Sequence, residues 1–249
     1  MKKIFFLFLV PFSVFAQRGT NSEYWNTFRY KPKSGMVSKF EAAAAEKTKK
    51  FNSQPGRLIA TFKVVTGENT GVYERIMPWQ SAKDYDYDAS EEQKYWNDNV
   101  GKYCESVGGP QRWERLKGFD VNIDPNNQSP SKYLKKTTMR IKPSKLNDFY
   151  RWSYRIGQVA AERITDQQRI LFRLESGGSR DIFVQYIGFD KYEREVTEFD
   201  NTWEVAYDTK FGMGTWDRDL EDYHNSFEML FGRTVETLEF VPEMFPSNN

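Results

Sequence analysis

The order of apolar and polar positions sorts most of the chain into short strands and amphipathic helices. Thr27-Phe28-Arg29-Tyr30-Lys31-Pro32 alternates with period two, as a half-buried strand does. Thr138-Met139-Arg140-Ile141-Lys142-Pro143 repeats the pattern of Thr, apolar, Arg, apolar, Lys, Pro. In both copies the Pro is expected to stop sheet pairing, and a following Ser (Ser34, Ser144) is placed to cap a helix. Helical stripes come next. Val37, Phe40, Ala44 and Phe51 share one face, as do Leu146, Phe149, Ser153, Ile156 and Ala160. Each helix leads into a predicted hairpin. The first joins 60–65 to 72–79 with Gly67 and Gly71 at the turn, and the second joins 170–175 to 182–189 across Gly177-Gly178.

A second helix then closes each copy. Ser90-Glu91-Glu92-Gln93 has the form of a capping box, and Trp96, Val100, Tyr103 and Val107 extend a stripe toward Gly108-Gly109. Its counterpart carries Leu220, Tyr223, Phe227 and Leu230 and stops at Gly232. Last strands are predicted over 112–117 and 234–241, where Glu114 and Leu116 align with Glu236 and Leu238.

This ordered agreement predicts an α+β chain made of two tandem ferredoxin-like β-α-β-β-α-β units, at 23–117 and 133–241. A segment rich in Asn, Pro and Ser, 118–132, links them, and 191–216 is an insertion before the last helix. Paired units that open with strand, Lys-Pro and helix resemble the dimeric α/β barrel superfamily, which includes antibiotic-biosynthesis-monooxygenase-like and NIPSNAP-like domains. The resemblance covers about residues 23–241. It implies two sheets packed face to face around a central space with helices outside, so that one chain forms the pseudo-dimer.

The first residues read differently. Lys2 and Lys3, the apolar run from Ile4, and Val14-Phe15-Ala16 form the three parts of a secretory signal, with the mature chain beginning near Gln17. The expected location is therefore the periplasm or the extracellular space. The apolar run is too short to span a bilayer, and no later stretch is long enough, so no membrane insertion is expected after signal cleavage.

The chain has 36 basic and 35 acidic residues, and loss of Lys2 and Lys3 keeps it near neutrality, which argues against nucleic acid as a partner. The only cysteine, Cys104, excludes an intramolecular disulfide and is expected as inert core on a helix stripe. Asp84-Tyr85-Asp86-Tyr87-Asp88 and the run from Asp120 to Asn127 alternate oxygen-bearing side chains, but neither has the Gly and distal Glu of a calcium loop. No metal site is expected.

Given the barrel that the resemblance implies, Phe28 and Tyr30 face helices, and Trp25, Thr27, Arg29, Thr138 and Arg140 point inward. Lys63 aligns with Arg173, Arg75 with Gln185, and Trp79 with Phe189. Trp25, Arg29, Lys63, Arg75, Trp79, Arg140, Arg173 and Gln185 are thus the candidate ligand residues of a cationic, aromatic interior suited to a small anionic or aromatic ligand. The competing possibility is a salt-bridged interior in which Glu114 and Glu236 satisfy the arginines. Haem-binding members of the superfamily carry an axial His on a helix in the region of His224, so the resemblance also allows haem there, although no cofactor is called for by any motif. Three readings follow. The first is a ligand-binding protein. The second is a haem-dependent or cofactor-free oxygenase-type enzyme. The third is an envelope interaction module displaying Trp203, Tyr207, Phe211 and Trp216.

Overall fold

A computed structural model describes residues 22–54, 56–124, 129–164, 167–193 and 199–246. The leader expected at 1–16 lies outside the described residues. The described residues are α+β, with a closed antiparallel barrel of eight strands and five α-helices. The elements of the first half are β1 (Tyr24–Pro32), α1 (Val37–Phe51), β2 (Ala60–Thr66), β3 (Tyr73–Gln80), α2 (Ser90–Asn99), β4 (Cys104–Ser106) and β5 (Gln111–Arg115). The second half has β6 (Tyr133–Arg140), α3 (Leu146–Arg163), β7 (Gln168–Ser176), β8 (Ile182–Phe189), α4 (Trp203–Phe211), α5 (Thr215–Asn225) and β9 (Arg233–Phe240).

In the first half the strand order is β5-β1-β3-β2, and in the second it is β9-β6-β8-β7, the same permutation. Two seams join the halves. β2 pairs with β9 and β5 pairs with β7, both antiparallel. β4 lies outside the barrel and pairs only with the end of β1. Closure leaves the eight barrel strands without open edges.

Alternation sends one set of side chains into the barrel and the other toward the helices. Phe62, Val64, Ile76, Trp113, Phe172, Leu174, Val184 and Leu238 form the interior. Each such side chain contributes about 1.5–3 kcal/mol when fully buried. Outside the barrel, α1 and α2 cover the first half through Phe40, Ala44, Tyr73, Trp96 and Val100. α3 and α5 cover the second half through Met139, Phe149, Leu171 and Phe183.

Polar groups also enter the barrel. Glu74 on β3 is fully buried and accepts hydrogen bonds from Lys136 on β6 and Tyr186 on β8, each at 2.5 Å. Arg29 on β1 lies 3.5 Å from Glu74 and 3.6 Å from Glu236 on β9. Asn69 donates to Glu236 at 2.5 Å. Burial alone would raise the Glu74 carboxyl, but Lys136, Tyr186 and Arg29 outweigh it and hold it below its ordinary value.

Several local expectations are corrected. β1 continues through Pro32, which is in register with Cys104, because a Pro at a strand end costs little pairing. Ser34 and Ser144 do not cap. α1 is entered through a turn at Gly35 (φ 71°), and α3 through a 3₁₀ turn that starts at Pro143. The capping box read from Ser90 to Gln93 does not form, because Ser90 is already inside the helix, Ala89 is its N-cap, and Gln93 donates to Asn97 at 3.0 Å instead. α2 stops at Asn99 rather than near Val107, and the chain turns at Gly101 into β4, so Cys104 is on a strand. It is buried there, and burial pushes its thiol up to about 11, which leaves it protonated and inert. Leu230 lies beyond α5 and is exposed.

Glu74→Gln should destabilise the protein by about 3–5 kcal/mol in urea unfolding, because it leaves Lys136 buried without its counter-charge. Glu74→Leu combined with Lys136→Met should recover most of that loss. Since the folded Glu74 carboxyl lies below its ordinary value of 4.5, the unfolded chain binds more protons between the two values. Its stabilisation is therefore full above that range and is lost as the pH falls through it. Glu74→Gln should flatten this part of the acid-unfolding curve.

Candidate functional site

The eight residues expected to line the barrel divide between its two faces. Trp25, Arg29, Trp79 and Arg140 are on the inward side. Trp25 and Trp79 meet edge to face at 5.1 Å near one end of the barrel, and Trp79 has a left-handed backbone (φ 60°). Arg140 reaches the opposite rim, half exposed and 3.7 Å from Asp181. Lys63, Arg75, Arg173 and Gln185 face outward, because Phe62, Val64, Phe172, Leu174, Val184 and Tyr186 fill the inward positions of the same strands. Lys63 sits over the Tyr73 ring at 5.7 Å, and Arg173 donates to the Arg180 carbonyl at 2.8 Å.

The interior cations are already balanced. Arg29 and Lys136 oppose Glu74 and Glu236, so this cluster offers no net charge to an anion. Glu236 meets Arg29 as the sequence allows, whereas Glu114 faces away and takes a weak bond from Ser22 at 3.4 Å. Inside the barrel a cavity of about 100 Å³ lies at the Trp25 end, walled by Phe62, Ile76, Trp79, Ile170 and Tyr186. It is apolar and small.

A larger cleft of about 400 Å³ lies on the helix side of the first half. Its floor is the outward face of β1 and β3, with Asn26, Phe28, Tyr30, Arg75 and Met77. Lys47 on α1 and Glu92 and Trp96 on α2 form one wall, and Arg57, Asp84, Tyr85 and Tyr87 form the other. A cavity of this size and mixed lining matches a small-molecule site.

Arg75 anchors the floor. It is 2% exposed and bonds to the hydroxyls of Thr48 and Thr61, and its guanidinium carbon lies 5.1 Å from the Trp96 ring centre. Among the described residues no carboxylate forms an ion pair with it. Burial lowers it to about 10, so it stays charged at neutral pH. Lys47 is paired with Glu92 and donates to Asn52 at 2.7 Å. Burial, reinforced by Arg75, lowers the Lys47 amine to about 8. Glu92 also takes Arg57 at 2.5 Å and Asn52 at 3.2 Å, so both of its oxygens are engaged. Arg57 stacks over Tyr87 at 3.4 Å, and Tyr30 and Trp96 lie with ring centres 4.4 Å apart. Burial pushes the Tyr30 hydroxyl up to about 12. Three cations thus face the cleft against Glu92 and Asp84, and Arg75 is the one left without a carboxylate.

None of Lys47, Arg57, Glu92 and Trp96 is a candidate ligand residue in the sequence reading, which places Glu92 in a capping signature and Trp96 on a helix stripe. Phe28 stands opposite Arg75 in the sheet, and cross-strand neighbours share a face. A helix-facing Phe28 therefore carries Arg75 with it once the register is known.

His224 does not suit a haem. It is an exposed residue in the last turn of α5, its nearest ring is Tyr223 at 5.9 Å, and it borders none of the cavities described above. The aromatic residues of the insertion are not an exposed patch either. Trp203, Tyr207, Phe211 and Trp216 pack with Trp152 between α3, α4 and α5, and Tyr207 is fully buried. Among the described residues no cluster of metal-ligating side chains occurs, and no helix is long and apolar enough to cross a membrane.

No protein-family model matches this chain, and no curated protein matches it in sequence. Solved structures share its fold. A proposed monooxygenase from Lactobacillus acidophilus has a TM-score of 0.57 at 9% identity, covering 92% of this chain and 97% of its own. A second proposed monooxygenase, from Fusobacterium nucleatum, scores 0.56 at 9% identity, with 88% and 92% covered. A mutant chlorite dismutase from Candidatus Nitrospira defluvii scores 0.53 at 10% identity, with 90% and 94% covered. At these identities the likeness is one of fold.

Proposed function

We propose that this protein binds a small aromatic anion in the cleft between the first-half sheet and helices α1 and α2. The observation that carries this reading is Arg75, a fully buried guanidinium with no carboxylate partner on the floor of an aromatic-walled cleft. A buried charge in that condition is costly unless something neutralises it. A carboxylate on a planar ligand would meet Arg75, and the Tyr30, Tyr87 and Trp96 rings would flank its apolar part. The site expected between the two sheets is relocated by this reading to the helix side of one of them.

A second reading has the protein oxygenate the bound ligand without a cofactor. Its support is the shared fold with the two proposed monooxygenases. Oxygen uptake that depends on an aryl substrate and is lost in Arg75→Met would favour it over binding alone. The identical strand order of the halves supports an origin by tandem duplication of a ferredoxin-like unit. The N-terminal pattern supports export, and the intact mass of protein taken from the cell envelope should correspond to a chain starting at Gln17.

Benzoate, salicylate and related aryl carboxylates should raise the melting temperature and quench tryptophan fluorescence, while benzamide should do neither. Arg75→Met should abolish the carboxylate response and keep the barrel folded. A response that survives in Arg75→Met, or no response to any aryl anion, would overturn the assignment.

Affinity for the anion should also fall as the pH rises through about 8, where Lys47 loses its proton and the Glu92 charge is less offset. Lys47→Met should remove that step. The lowered Lys47 value has a separate effect on folding. Between about 8 and the ordinary value of 10.5 the unfolded chain binds more protons, so this residue's penalty is full below that window and fades as the pH rises through it.

A further inference from the structure

The loop between α5 and β9 presents three consecutive apolar side chains to solvent. Met229 is 93% exposed, Leu230 78% and Phe231 85%. Scattered apolar residues on a surface are ordinary, but adjacent ones at the apex of a loop form a local patch.

The loop is fixed in shape. Both of its ends are tied to the end of β6, since Glu228 N–H donates to the Arg140 carbonyl and Arg140 N–H donates to the Gly232 carbonyl. A Cβ at Gly232 would stand 2.0 Å from the Glu228 carbonyl oxygen, so only glycine closes the turn. Phe231 holds a left-handed backbone (φ 55°), which a bulky residue rarely adopts. The fold therefore tolerates backbone strain here while leaving the ring in water.

Basic residues stand at the base. Arg140 is half exposed at the barrel rim, Lys142 bonds through its backbone to Ser226 and through its amine to the Asn225 carbonyl, and Arg233 follows the turn and is exposed. Asp181, 3.7 Å from Arg140, and Glu228 are the neighbouring acids, so cations are in excess.

We propose that this tip docks the protein on an anionic lipid surface, with Met229, Leu230 and Phe231 entering the acyl boundary and Arg140, Lys142 and Arg233 meeting the headgroups. A convex apex of adjacent apolar side chains offers no groove to a folded partner, whereas a fluid bilayer closes around it. The surrounding cations complement phosphate headgroups. Docking of this kind needs no membrane-spanning helix, and it is independent of the cleft.

Flotation of the full mature chain with vesicles of phosphatidylglycerol and phosphatidylcholine, against vesicles of phosphatidylcholine alone, tests the proposal. Binding should favour the anionic vesicles and weaken with added salt. Leu230→Asp with Phe231→Asp should lower vesicle affinity at least tenfold without changing the melting temperature. Arg140→Gln with Arg233→Gln should remove most of the preference for anionic lipid. A blue-shifted environment-sensitive dye at position 230 would show entry into the acyl region. The proposal is overturned if the chain floats with neither vesicle or if the aspartate variant floats as well as the parent. It is also overturned if sedimentation shows self-association that this variant abolishes, because the tip would then meet a second copy.

Discussion

A buried carboxylate ties the two halves of the closed barrel to one another. Glu74 stands on β3 in the first half, and the Lys136 and Tyr186 groups that satisfy it belong to β6 and β8 in the second. The Arg29 guanidinium lies between Glu74 and Glu236, so a further contact crosses the same interior. Hydrophobic burial brings the two sheets together and already opposes a one-residue slip, which would turn Phe62, Val64 and Leu238 out of the interior. The charged cluster does not permit such slippage. A shift of one residue at the β2–β9 seam would turn Glu236 out of the barrel and leave Arg29 with half its counter-charge. Ionic groups thus reinforce the register of a structure whose stability comes mainly from apolar area.

This self-neutralised interior decides where a ligand can be held. With its charges matched, the barrel has a small apolar space beside Trp25 and Trp79. The helix-side layers differ between the halves. In the second half the insertion supplies α4, and Tyr207, Trp216 and Trp152 pack over α3 and α5. In the first half α2 ends at Asn99 and the chain leaves to form β4, so α1 and α2 cover the sheet incompletely. The cleft occupies that incomplete cover. The same strand order thus supports a filled layer on one side and an open one on the other.

Much of the fold was legible from the sequence because strand and helix periods differ. The hairpin over 60–65 and 72–79 appears as β2 and β3, and 182–189 is β8 without change. The face each strand presents was less legible. The expectation of an apolar helix side and a polar barrel side fits β1, where Tyr30 packs on Trp96 and Arg29 points inward. On β2 and β7 it fails, because the barrel interior is itself mostly apolar and takes Phe62 and Phe172. Lys63 and Arg173 were therefore assigned to the wrong face. Gly101 was the local sign that the helix stops early, but it was outweighed by Tyr103 and Val107, which fall on the same helical stripe. Glu92 shows a related ambiguity. An acid in the first turn of a helix suits the helix dipole, and nothing nearby in sequence reveals that Lys47 and Arg57 fold against it.

Arg75 distinguishes a binding cleft from a packing defect. A site selected for stability alone would gain by placing an apolar side chain against Trp96, since removing a buried charge together with its polar needs is commonly neutral or favourable. The chain instead retains a guanidinium there, satisfies part of it with the Thr48 and Thr61 hydroxyls, and directs the nearest carboxylate, Glu92, to Lys47 and Arg57. Glu92 therefore acts on Arg75 through space without bonding to it, and burial still lowers both Arg75 and Lys47. Two cations weakened by burial beside one acid already bonded to Lys47, Arg57 and Asn52 give the cleft an unmet demand for negative charge. Hydroxyl partners hold the guanidinium in place without cancelling its charge, which is the condition an anion-binding group requires.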